Sequence, residues 1–269
     1  MLYISCVLSA VCFWVSNILG ILLITEDVNE DNFNEASWKS LDSEYLTKQW
    51  DFRRSISPLL QSSSVFNAAA WLLMLVPILQ LTFSLSRGGK RKIGVHLAIA
   101  AFSIVACFTE VTSRILFFGA WGSASQVSRE FNLDSWVSNG DQMGWKSLEV
   151  SWQITYGLLR WIDAFEWICL FSILTLIYFS VGTQSCEFRK LPMWWARLGV
   201  TIAFFAIVDF TADLLPSNQY VSFARFSIIV ALFNSMIMLP LWLCSLGYYL
   251  PEALKQESEE KAEKQGELA

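Results

Sequence analysis

A single histidine serves all 269 residues of this chain. That scarcity closes several routes to function. A metal centre of several histidines, or a haem held between two, needs more imidazoles than one chain supplies. A Ser-His-Asp triad would have to recruit His96, which starts an apolar run whose acids stand at the other end. The nucleotide-binding and hydrolase loops G-x-x-x-x-G-K-[ST], G-x-G-x-x-G and G-x-S-x-G are absent as well. No lysine falls inside a long apolar run, so a retinal Schiff base has no anchor. No cofactor is expected.

Cysteine offers no disulfide framework. Cys6, Cys12, Cys107, Cys169 and Cys244 lie in apolar runs and Cys186 in a short polar connection, so no polar segment holds a pair. Cys6 and Cys186 fall near expected membrane surfaces, where palmitoylation is one reading. The reading we prefer is that the cysteines are small buried apolar residues. No N-x-S/T sequon is present.

Charge is the most telling shortage. Charged residues make up 16% of the chain and hydrophobic ones 54%, with 13 tryptophans. Soluble domains carry about 25% charged residues. Disorder needs low hydrophobicity and high net charge. The composition therefore implies an all-α polytopic membrane protein whose main partner is the lipid bilayer, and no nucleic-acid partner is expected.

A span of about 20 apolar residues crosses a hydrocarbon core of roughly 30 Å. Six runs qualify, at about 2–24, 58–85, 93–121, 152–181, 193–215 and 220–250. In lipid each satisfies its backbone as a helix, which gives one domain, residues 1–250, of six transmembrane helices. The first run is longer than the 7–15 residues of a signal-peptide core, and no basic residue precedes it. It is expected to be retained. Arg87-Gly-Gly-Lys-Arg-Lys92 carries four positive charges and no acid, and Arg189 and Lys190 mark the next connection on the same side. Residues 25–57 hold eight acids against four bases. The positive-inside rule then puts both termini in the cytoplasm, 25–57 and 123–152 in outer loops, and a charged tail, 251–269, inside. In the first outer loop Trp38, Leu41, Tyr45 and Phe52 recur at helical spacing with Lys39, Asp42 and Lys48 between them. Two readings stand for them: an interfacial amphipathic helix, or a loop whose aromatics cap the bundle.

Most charges sit in loops and tail, and Arg197 lies one turn inside the fifth run, within reach of the headgroups. Eight remain within the runs: Glu110, Arg114, Arg160, Asp163, Glu166, Asp209, Asp213 and Arg225. Counted from the cytoplasmic end, Glu110, Glu166 and Asp209 lie roughly 22–25 Å up, and the other five roughly 28–33 Å. Four helices thus place every such charge in one half of the membrane. A charge facing lipid costs several kcal/mol, so these are expected to face the bundle interior or water. Glu110 and Arg114 are spaced i,i+4 with the acid first, the favourable order for an ion pair. Arg160 and Asp163, at i,i+3, are positioned to pair. Asp209 and Asp213 form a like-charged i,i+4 pair that needs an arginine, a cation or a proton between them. Five acids face three arginines, which leaves two carboxylates over. Two readings stand for these charges. In one they are structural: Glu110–Arg114 is a local ion pair that fixes packing, and Arg160, Asp163, Asp213 and Arg225 are anchors in the outer headgroup zone. In the other they form an outer-facing pocket with a layer of Glu110, Glu166 and Asp209 under a roof of Arg114, Arg160 and Arg225.

The remaining polar features read as structural. Asn67, Gln80 and Asn234 are expected to hydrogen-bond between helices. Pro77 and Pro240 should kink the second and sixth helices. Trp121, Trp145 and Trp152 suit an outer aromatic belt, and Trp194, Trp195 and Trp242 an inner one. Trp161 and Trp167 flank the charges of the fourth helix. The first two helices hold none of the eight charges, which suggests a peripheral pair beside a working bundle of four. Three functions fit. One is a small transporter, channel or receptor-like protein binding a cation, a proton or a small polar ligand. The second is a structural or assembly subunit whose membrane-protein partners contact helices one and two. The third is a lipid enzyme using Asp209 with Glu166 as acid and base. The sequence leans away from an enzyme.

Overall fold

In a computed structural model of the chain, the structure describes residues 2–27, 43–87, 93–130, 142–182, 191–215 and 221–266. Nearly all of them are helical: α1 Leu2–Asp27, α2 Ser43–Arg87, α3 Ile93–Glu130, α4 Gln142–Gly182, α5 Met193–Leu214, α6 Val221–Phe233 and α7 Leu239–Gly266. A five-residue π turn, Asn234–Met238, joins α6 to α7, and the three form one sixth crossing. Six helices are long and apolar enough to cross a membrane, the core of an integral multi-pass membrane protein. Their ends have local causes. Pro192 stands at the N-cap of α5 with extended dihedrals. Leu215 closes that helix in an extended conformation, as expected of a residue before a proline.

The helices run further than the apolar runs. At 45 residues α2 is about 67 Å long, more than twice the hydrocarbon thickness. It begins at Ser43 and passes through Pro58 and Pro77 as one helix. Residues 43–57 are thus part of the second crossing's helix, and both ends of the 123–152 segment are helical too. The reason is packing. Trp50, Arg53, Ile56 and Ser57 recur at helical spacing and are all buried, which outweighs the single backbone hydrogen bond lost at Pro58. Of the residues considered for an interfacial helix, Trp38 and Leu41 lie outside the described residues. Phe52 packs against a second apolar cluster of Ile56, Phe117, Trp121 and Leu159.

Each crossing packs on the next in chain order, and α7 returns to α1, which closes a ring. The first two helices are therefore not peripheral. Trp71, Met74, Ile78, Leu81 and Leu85 of α2 lie in the main core with Ile99, Leu170, Ile173, Trp195 and Trp242. α2 also touches α4 and α7.

α1 has a specific task that charge counting could not show. A proline inside a helix leaves the carbonyl four residues earlier without its donor. Pro77 frees the Leu73 carbonyl, and Ser5 Oγ of α1 donates to it at 2.7 Å. Pro240 frees the Met236 carbonyl, and Trp14 Nε1 donates to it at 2.5 Å. Lipid offers no water to such groups, so α1 satisfies both flanking crossings. Ser9 Oγ adds a bond to the Ala70 carbonyl, and Ser235 donates to Asn17 Oδ1 at 3.1 Å.

Several tryptophans leave the belts the sequence suggested. Trp195 and Trp242 are buried and stacked, with ring centroids 4.8 Å apart. Gly199 makes room for them, since a Cβ there would meet Trp242 Nε1 at 3.0 Å. Trp121 and Trp152 pack edge to face at 5.0 Å. Trp194 and Trp161 are exposed, as lipid-facing residues are.

Candidate functional site

α3, α4 and α5 bring most of the intramembrane charges together. On α3, Glu110 and Arg114 pair one turn apart, with Arg114 Nε 2.5 Å from Glu110 Oε1. Arg114 also reaches across to α4, where its Nη2 lies 2.9 Å from Asp163 Oδ1. Ser113 Oγ donates to the same Asp163 oxygen at 3.4 Å. Asp163 is thus held by another helix, and the expected partner on its own helix is engaged elsewhere: Arg160 Nη2 lies 3.0 Å from Asp213 Oδ1 of α5. Cross-helix pairing wins because each arginine then ties two helices while keeping its head beside a carboxylate.

Three carboxylates, Glu110, Asp163 and Glu166, converge so closely that one oxygen from each lies within 4.8 Å of the others. Glu110 and Glu166 are at most 1% exposed. Arg114 and Asp163 are about one-fifth exposed, so the deep acids lie beneath a partly open roof. Arg114 also lies over the Phe117 ring, 5.7 Å from its centroid. The group holds three acids for one guanidinium. Glu110 Oε2 and Glu166 Oε2 are buried and, among the described residues, meet no donor group, only other carboxylates.

Asp209 is buried on α5 and does not belong to that triplet. Neither of its carboxylate oxygens has a partner among the described residues. Its like-charged neighbour Asp213 is answered by Arg160 while Asp209 is not. The carboxylate that meets Glu110 and Asp163 is Glu166. Arg225 lies on α6, and its side chain falls outside what the structure describes.

A second charged site escaped the sequence reading because its residues were assigned to loops. Arg53 of α2 and Glu149 of α4 form a two-pronged ion pair, Nη1–Oε2 at 2.6 Å and Nη2–Oε1 at 2.9 Å. Both are buried, at 6% and 3% exposure. The guanidinium lies over both the Trp50 and Trp152 rings, 4.9 and 4.8 Å from their centroids, and the two rings meet edge to face in a corner around it. Gln153 Nε2 donates to Glu149 Oε1 at 2.7 Å. The sequence did carry a signal: Trp50 and Trp152 each stand three residues after or before a charge, one helical turn away.

The asparagines also depart from expectation. Asn67 Oδ1 is buried, and so are both amide atoms of Asn234; none has a partner among the described residues. Among the described residues these three atoms make none of the interhelical bridges their positions suggested. Gln80 is exposed.

Comparison of the chain with family models, curated proteins and solved structures gives no match.

Proposed function

We propose that this multi-pass membrane protein is a small transporter or channel whose carboxylate–arginine site takes up a proton or a small cation. The observation that carries the reading is the surplus of acid in a buried setting. Among the described residues Glu110, Asp163 and Glu166 converge around Arg114 alone, and two of their oxygens meet no donor. An isolated buried carboxylate is very costly to keep charged. A mobile positive charge is the partner the site calls for. The basic connection Arg87–Lys92 supports a cytoplasmic location for both termini, with the site in the outer half of the membrane. A receptor-like protein that binds a small polar cation uses the same chemistry.

The test is flux into vesicles reconstituted with the full chain, followed with proton- and cation-sensitive dyes. Wild type is expected to support flux, and Glu110→Gln and Glu166→Gln to lose most of it while migrating as folded protein in detergent. Full flux in both variants would refute the reading. An assembly subunit is the alternative, resting on the exposed apolar side of α1 from Tyr3 to Leu22.

A further inference from the structure

In the Arg114 cluster the donors can be assigned one by one among the described residues. Arg114 gives its Nε to Glu110 Oε1 and its Nη2 to Asp163 Oδ1. Ser113 Oγ is a second donor to Asp163. Nothing of the kind reaches Glu110 Oε2 or Glu166 Oε2, yet the three acids bring one oxygen each within 4.8 Å of the others. Glu166 is 1% exposed, so bulk water does not reach it. No other cation answers it. On α5 Asp213 is engaged by Arg160, and Asp209 is a further acid. Between residues 55 and 86 the second crossing holds no charged residue, and the sixth holds none from 226 to 250. Cys107, one turn from Glu110, and Tyr156, two turns from Asp163, bring no positive charge.

Resting on the reading of this site as a holder of positive charge, we propose that the guest is a proton, carried by the Glu166 carboxyl and shared with Glu110. Two carboxylates this close do not both stay ionised without a donor between them. Arginine does not give up its proton, so the charge that changes sits on an acid. Glu110 and Asp163 each take an N–H from Arg114, and Glu166 takes none. Glu166 is therefore the neutral member. Protonated, it has one O–H to give, and the Glu110 carboxylate beside it has an oxygen without a donor. A metal cation suits the cluster less well. Calcium and magnesium take about six or more oxygen ligands, whereas here three carboxylates surround a guanidinium that repels a second cation. On release the O–H bond of Glu166 breaks and its electron pair stays on the carboxylate. The proton passes to water through the partly open roof of Arg114 and Asp163, and no electron changes hands.

The experiment is infrared spectroscopy of the full chain reconstituted in lipid at neutral pH. A protonated carboxyl shows a carbonyl stretch that a carboxylate lacks. Wild type is expected to show such a band, and Glu166→Gln to lose it. Asp209 is a separate buried acid without a donor, so Asp209→Asn is the control and is expected to leave the Glu166 band in place. Glu110→Gln replaces the acceptor of the shared proton with an amide and is expected to shift or abolish the band. It decides the matter if Glu166→Gln fails to fold. A carboxyl region unchanged in Glu166→Gln, or a band unmoved in Glu110→Gln, overturns the shared proton. If the bands behave as expected but vesicles show no proton flux, the proton site stands and the transporter reading fails. If the bands contradict the proposal while cation flux is seen, the transporter reading stands and the proton assignment is overturned.

Discussion

Arg53–Glu149 and the Arg114 cluster are both buried ionic sites between the long helices, and they are built on opposite principles. At Arg53 and Glu149 one cation meets one anion through two contacts, two tryptophan faces cover the guanidinium, and Gln153 takes up a remaining lone pair. At Arg114 one cation meets three acids, two carboxylate oxygens have no partner among the described residues, and Asp209 adds an unanswered carboxylate on the next helix. The first site is balanced and closed, which is what a fixed joint between α2 and α4 requires. The second is unbalanced, and no packing advantage accounts for surplus buried acid. Buried charge alone therefore does not separate the two sites; the balance of charge does.

The largest effect that would sharpen this contrast is at the balanced site. Arg53→Ala strands Glu149 in a tryptophan-lined pocket, and breaking a buried pair from one side costs about 3–5 kcal/mol. Equilibrium unfolding in detergent should show a loss of that order. A loss of a few tenths would mean that the joint is not structural. A much smaller effect is expected at Arg160–Asp213, where the side chains are 37% and 24% exposed. Arg160→Gln should cost under about 1 kcal/mol in the same assay. A cost matching Arg53→Ala would erase the distinction between balanced joint and open roof.

The sequence made the solvent and the number of crossings legible, because lipid leaves a helix no alternative to apolar length. It also put Glu110, Arg114, Asp163 and Glu166 in the same half of the membrane, since a helical rise converts position into depth. It could not show which arginine meets which acid. Arg160 and Asp163 are neighbours on one helix, yet each is claimed by another helix, and such partner choice depends on how helices rotate against one another. It hid Arg53 and Glu149 because hydropathy averages a window, and two charges within it mask a buried turn of helix. The role of α1 was hidden too. Ser5 and Trp14 look unremarkable until Pro77 and Pro240 are seen to free the carbonyls they reach. Asn67 and Asn234 resemble interhelical bridges in sequence, and only the structure shows Asn67 Oδ1 and both Asn234 amide atoms buried without partners among the described residues.

The central claim is that the carboxylates of the two sites serve different ends, and one matched pair of substitutions tests it most directly. Glu149→Gln and Glu166→Gln remove the same charge from the same helix with almost no change in shape. Unfolding free energies of both variants should be measured beside wild type in one detergent, without added metal ions. Glu149→Gln is expected to lose stability on the order of 2 kcal/mol, through loss of a charge-assisted pair. Glu166→Gln is expected to hold or gain stability, because it removes a buried acid without counter-charge. Equal losses in the two variants would contradict the account and make the Arg114 cluster one more structural ion pair.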